Sequence, residues 1–136
     1  MKWTVALVDD QPLFRRGLQV LLGLEPDLEV LGAAATAAEA RALATMRPSL
    51  MVIDVTLEDA NGIDLAREIM ALSPKTHVLI LTMHTHESVL AAAVDAGIPG
   101  FALKSQPLDE LMCAIRAVAR GDTYRPARYR HLVAVA

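Results

Sequence analysis

The sequence predicts an open α/β sheet of five parallel strands with helices on both faces. Three features of the chain carry that prediction. Five short apolar runs alternate with five amphipathic stretches, giving consecutive strand–helix units. The runs are apolar at every position rather than at alternate ones, as in strands buried on both faces, which makes the sheet parallel. The connections are short, and five strands are too few for an eight-stranded barrel, which leaves a doubly wound sheet with right-handed crossovers.

The elements follow in order. Val5-Ala-Leu-Val8 is the first strand. Pro12 to Leu24 is the first helix, with Leu13, Phe14, Gly17, Leu18, Leu21 and Leu22 at helical spacing and proline in its first turn. Leu28 to Ala34 reads as strand 2. Helix 2 runs from Thr36 to Met46, with Thr36 as N-cap and Glu39 completing a capping box. Strand 3 is Leu50-Met-Val-Ile53, and helix 3 runs from Asn61 to Leu72, stopped by Ser73-Pro74. His77-Val-Leu-Ile-Leu81 is strand 4, followed by helix 4 from Glu87 to Ala96, ending at Gly97. Strand 5 is the short run Gly100-Phe-Ala-Leu103, and helix 5 extends from Pro107 to Arg120 with Gly121 closing it. Past Gly121 the period dissolves.

Composition narrows the class. The chain has 136 residues, 54% of them hydrophobic, which is one domain's worth with ample core and excludes intrinsic disorder. A single cysteine, Cys113, excludes an internal disulfide scaffold and favours a reducing compartment; within its apolar helix it reads as a buried small hydrophobe. No apolar run reaches the ~20 residues of a membrane span, and the N-terminus does not read as a signal peptide, so a soluble cytoplasmic domain is expected. Residues 1–115 hold 8 Lys/Arg against 15 Asp/Glu, whereas Arg116, Arg120, Arg125, Arg128 and Arg130 face only Asp122 in the remainder. The acidic body argues against direct nucleic-acid binding, and the basic tail reads as a solvated linker.

In this architecture ligands sit beyond the carboxyl ends of the strands. Strand 1 ends at Asp9-Asp10, strand 3 at Asp54, strand 4 at Thr82 and strand 5 at Lys104. Three crowded carboxylates raise one another's pKa unless a cation lies among them, and an oxygen-only donor set suits Mg²⁺. Lys104 and Thr82 add a cation and a hydroxyl that hold phosphoryl oxygens, and a carboxylate nucleophile forms an aspartyl-phosphate. One helix cap explains one aspartate, not the pair Asp9-Asp10. His84 and His86 lack a third ligand for a metal site.

These residues resemble the receiver domain of response regulators in two-component signalling, from Trp3 to about Gly121. The matching pieces are Val8-Asp9-Asp10, Asp54 followed by Asn61-Gly62, Leu81-Thr82, and Gly100-Phe-Ala-Leu-Lys104, in order and at the right spacing. The segments DDQPLFRRGLQVLL, LTMH and RAVARGDTYRP further resemble the LuxR/NarL-type subfamily, which usually carries a C-terminal helix-turn-helix. The resemblance implies a flavodoxin-like sheet of order 2-1-3-4-5. It implies Asp54 as phosphoacceptor from a sensor histidine kinase, and Mg²⁺ held by Asp9, Asp10, Asp54 and the Thr56 backbone carbonyl. Lys104 and Thr82 would contact the phosphoryl group, Thr82 and Phe101 would act as the switch, and Thr56 and His84 would tune dephosphorylation. It divides the chain into a receiver at 1–121 and a basic linker at 122–136, the DNA-binding output domain lying outside this chain, which is expected to be a piece of a longer protein. A phosphorylation-dependent homodimer would pair through helix 1, with Arg15, Arg16 and Gln19, and helix 5, with Leu111, Ile115 and Val118 beside Arg116 and Arg120, or around helix 4. No independent turnover and no membrane partner are expected.

The chain departs from the family at Glu58, where proline is common four residues past the phosphoacceptor. A less rigid loop is expected there, with added negative charge. Ser105 replaces a frequent proline, and Met83 stands where many receivers have a small residue. A flavodoxin-like cofactor carrier would need a Gly/Ser/Thr-rich cradle after strand 1, where Asp9-Asp10-Gln11-Pro12 stands instead. A standalone aspartyl phosphotransferase would need a general acid or base and a substrate-sized insertion. A single-domain or degenerate receiver that signals by protein contacts is the remaining alternative.

Overall fold

Polar residues gather where the apolar runs end, and that punctuation sets the architecture. In the computed structural model, which describes residues 2–83 and 86–129, the strands are β1 (Trp3–Val8), β2 (Leu28–Ala34), β3 (Leu50–Asp54), β4 (His77–Thr82) and β5 (Gly100–Leu103). The helices between and after them are α1 (Pro12–Gly23), α2 (Ala37–Ala44), α3 (Gly62–Leu72), α4 (Glu87–Asp95) and α5 (Leu108–Ala119). All neighbouring strands pair in parallel, in the order β2-β1-β3-β4-β5.

Successive residues on each strand feed opposite cores, which is why the runs are apolar throughout. On β4, Val78 and Ile80 enter the core under α2, α3 and α4, whereas Leu79 and Leu81 enter the core under α1 and α5. Each fully buried Leu, Ile or Val contributes roughly 1.5–3 kcal/mol over an exposed one. The helices start where the caps say. Thr36 accepts from the Glu39 N–H at 3.2 Å, and Asn61 accepts from the N–H groups of Ile63 and Asp64. After α5, Gly121 takes φ +100°, the left-handed step that glycine allows without strain.

Two expectations change. Cys113 is exposed. It shares the outward stripe of α5 with Asp109, Arg116 and Arg120, while Leu111, Met112, Ala114, Ile115 and Val118 face the core. For the same reason Leu111, Ile115 and Val118 are buried beneath the sheet and offer no face for a partner copy.

Beyond Gly121, the described residues 122–129 pack on the sheet. Tyr124 pairs with the open edge of β5, its carbonyl accepting from the Phe101 N–H and its N–H donating to Pro99, each at 3.0 Å. Tyr124 packs against the α1/α5 core, whereas Tyr129, in a 3₁₀ turn at Ala127–Tyr129, is buried in the opposite core. The chain thus wraps around the exposed edge strand and covers it as far as Tyr129, well past Gly121.

Candidate functional site

The β1, β3 and β4 runs end together in space, and their terminal polar residues meet there. One carboxylate oxygen from each of Asp9, Asp10 and Asp54 lies within 4.8 Å of the others. Lys104, one residue past β5, has its side chain only 5% exposed. Its Nζ stands 2.7 Å from Asp9 Oδ2 and 3.1 Å from Asp54 Oδ2. A lysine snorkelling from a strand end would keep its ammonium in water; this one is buried between two carboxylates. Its own N–H donates to the Thr82 carbonyl at 2.8 Å, which ties the β5–α5 turn to the end of β4. Thr82 is fully buried, and a cavity of about 320 Å³ is lined by Asp10, Gln11, Asp54, Thr56, Thr82, Met83 and Lys104.

The electrostatics are unbalanced. Burial pushes the Asp54 carboxyl above the ordinary carboxylate range; Lys104 pulls it back, and the negative charge of Asp9 pushes it up again. One ammonium among three carboxylates leaves the cluster with excess negative charge, and every donor atom is oxygen. That is the chemistry of a hard-cation site, and the cluster fits Mg²⁺.

Asp9 and Asp10 do not cap α1. Gln11 is the N-cap residue, and Asp9 Oδ1 instead accepts from the Gln11 N–H at 2.8 Å. The Arg15 guanidinium donates to the Asp9 carbonyl at 2.7 Å and fastens the β1–α1 turn. The Asp54 carboxylate accepts from the Thr56 N–H at 3.3 Å. The β3–α3 loop, expected to be loose for want of a proline, is tied at several points. Thr56 bridges Asn61, and the Leu57 N–H donates to Ala60. The Glu58 N–H donates to Asp10 Oδ2 at 2.8 Å, a bond that proline could not make. The Asp59 carboxylate accepts from the first amide of α2, Ala37, at 3.2 Å.

In the sequence Gly62 stands out only as the partner of Asn61 at the start of helix 3. A Cβ there would fall 1.9 Å from the Asp54 carbonyl oxygen, so only glycine lets α3 start against the backbone of Asp54. Gln11, Phe14 and the Glu58 N–H also join the site without having been singled out; adjacency to Asp9-Asp10 was the available signal for Gln11. Phe101 is buried, and the ring that covers it is Tyr129, edge-on with centroids 6.2 Å apart. Met83 is 68% exposed on the cavity rim. His84 lies outside the described residues.

The family model described as the response regulator receiver domain matches residues 5–116. The chain belongs to the response-regulator receiver family. A DNA-binding transcriptional activator, DevR/DosR of Mycobacterium tuberculosis, is 42% identical over 118 residues, covering 86% of this receiver and 54% of that protein. A transcriptional regulatory protein of Bacillus subtilis, YxjL, is 38% identical over 122 residues, 89% of this chain and 56% of its own. The crystal structure of a LuxR-family two-component response regulator from Aurantimonas superposes with a TM-score of 0.88 at 32% identity, covering 96% of this receiver and 94% of that chain. The chain spans about half the length of the curated relatives it matches. Among the described residues, no helix is long and apolar enough to cross a membrane.

Proposed function

We propose that this receiver accepts a phosphoryl group on Asp54 and converts it into a change of conformation. The observation that carries the reading is the buried ammonium of Lys104 lying between Asp9 and Asp54. In the transfer, an Asp54 carboxylate oxygen bonds to phosphorus as the donor's bond to phosphorus breaks and the leaving group departs with that electron pair. The donor is a phosphohistidine of a sensor kinase, or acetyl phosphate, which leaves as acetate. Charge on the transferred group spreads over its equatorial oxygens, so positioned cations carry most of the catalysis. Lys104 supplies one, and the Thr82 hydroxyl stands in the same cavity. Asp9, Asp10, Asp54 and the Thr56 carbonyl would hold Mg²⁺, which supplies the remaining positive charge when bound.

The switch belongs to the same reading. Thr82 and Phe101 sit on adjacent strands, in a register that pairs Ile80 with Phe101 and Thr82 with Leu103. Phosphorylation draws Thr82 toward Asp54, Phe101 repacks, and Tyr129 transmits that repacking to the segment beyond α5. Thr56 and His84 tune how long the acyl phosphate lasts. The output is transcriptional, through a DNA-binding domain following this one in a cytoplasmic protein; the names of the similar regulators support it. Pairing of phosphorylated copies accompanies it, and α1 with its C-cap residue Leu24 offers Leu13, Val20 and Leu24 as exposed apolar residues.

Mass spectrometry after incubation with acetyl phosphate or phosphoramidate, with and without Mg²⁺, tests the chemistry. A single adduct is expected that disappears in Asp54→Asn, forms slowly in Asp10→Asn, and in Lys104→Ala forms slowly and without the conformational change. An adduct at full yield in Asp54→Asn, or in EDTA, would refute the assignment.

A further inference from the structure

An ammonium group has three N–H donors, and all three of Lys104's have acceptors within reach. Two are Asp9 Oδ2 and Asp54 Oδ2. The third is Gln11 Oε1, at 2.5 Å, and the Phe14 ring lies alongside with its centroid 4.5 Å from Nζ. Two of these acceptors change when the site is used. Asp54 becomes an acyl phosphate, and Asp9 belongs to the cation-binding cluster. Gln11 is the acceptor that phosphoryl transfer leaves chemically unaltered.

Gln11 is also placed where a tether has to be. It is the N-cap residue of α1, its N–H is fixed on Asp9 Oδ1, and its carbonyl accepts from the Arg15 N–H at 2.9 Å. An N-cap side chain ordinarily turns back to the free amides of its own helix. Here the Gln11 side chain makes no capping bond and reaches Lys104 instead.

We propose that Gln11 is the positioning residue of Lys104: it holds one vertex of the ammonium while the other two N–H groups pass from Asp9 and Asp54 to the incoming phosphoryl oxygens. This rests on the reading of Asp54 as phosphoacceptor. Without the tether, the ammonium settles on Asp9, the nearer carboxylate, and must be pulled away before it meets the phosphoryl group.

The test uses the full chain with Gln11→Leu, which keeps bulk and removes the acceptor, and Gln11→Asn, one methylene short. Gln11→Glu keeps an acceptor at the same reach. The first readout needs no phosphodonor: the ¹H–¹⁵N signal of the Lys104 ammonium, visible only while hydrogen bonds slow its exchange. It is expected in the parent chain and Gln11→Glu and lost in Gln11→Leu and Gln11→Asn. The second is the rate of adduct formation from acetyl phosphate at saturating Mg²⁺. It is expected to fall about 10-fold in Gln11→Leu and Gln11→Asn, with the donor concentration for half-maximal rate unchanged, and to stay within about threefold in Gln11→Glu. Gln11→Leu retaining both signal and rate overturns the proposal, as does an equal loss of rate in Gln11→Glu. If instead the parent chain forms no adduct, or Asp54→Asn forms one, the phosphoacceptor reading falls, while the ammonium signal still decides the tether.

Discussion

At the scale of single residues, Asp54 is held in a state that folding does not favour. Its carboxyl is raised above the ordinary 3.8 by burial first and by Asp9 in addition, against the opposing pull of Lys104. A raised acid binds its proton more tightly in the folded than in the unfolded chain. Stability therefore falls as pH rises from 3.8 through the folded value, and above that the cost of the buried charge is constant. Asp54→Asn removes that cost. The variant is expected to melt above the parent at pH 7 in EDTA, and the difference should shrink as pH falls through the folded value and be gone below 3.8; thermal denaturation across that range checks it. A variant that melts lower at pH 7 would mean that the Lys104 pairing outweighs burial. The same residues explain what the sequence disclosed. Asp9, Asp10, Asp54, Thr82 and Lys104 were legible because each ends a strand, and parallel strands bring their carboxyl ends to one edge. The roles of Gln11, Gly62 and the Glu58 N–H were not, because each depends on a neighbour distant in sequence. Gly62 matters through the Asp54 backbone, Gln11 through Lys104, and a backbone N–H leaves no mark on composition.

At the scale of elements, local signals sufficed for all ten strands and helices, since caps, glycines and prolines act within a few residues of where they stand. What they did not disclose is how the elements are clamped. Arg116, counted in the sequence with a basic tail, points from α5 to the α1–β2 turn. There it donates to Asp27 at 2.8 Å and to Glu25 at 2.9 Å. Arg120 is likewise paired, with Asp122. The Arg116 hydrogen bond holds the Asp27 carboxyl below 3.8. A lowered acid contributes stability above its unfolded value and loses it as pH falls through the folded one. These groups are a third or more exposed, so the clamp is worth no more than about 1 kcal/mol and weakens in salt. Arg116→Ala is expected to cost about that at pH 7 in urea denaturation. The difference from the parent should vanish at pH values well under 3.8, and Arg116→Lys should recover only part, since a point charge cannot fork between two carboxylates. A loss that persists in acid would assign the effect to the packing of the arginine stem.

At the scale of the whole molecule, the question is where the domain ends, and here the sequence was least informative. Residues 122–129 have no helical or strand period, two arginines and a proline, all marks of a linker. Yet Tyr124 makes two main-chain hydrogen bonds to the edge of β5, and its hydroxyl accepts from the Gln106 amide at 2.9 Å. Tyr129 is 4% exposed against Phe101. Such contacts escape sequence reading because they join residues far apart in the chain, with no repeat to announce them. An edge strand left bare would expose unpaired amides of β5, and the cores on the two sides of the sheet would each lose a tyrosine. Removing one large buried aromatic costs about 3 kcal/mol or more, which for a domain of this size is roughly 10 °C in melting temperature. A chain cut after Gly121 is therefore expected to melt about that much below the full chain, and Tyr129→Ala in the full chain should account for most of the difference. If the segment is a passenger, both will melt with the parent, and the boundary belongs at Gly121. If it is part of the fold, Tyr129 is fastened to the strand that carries Phe101 and leads to Lys104, and a change at the Asp54 cavity reaches the end of the segment through the side chains of Phe101 and Tyr129.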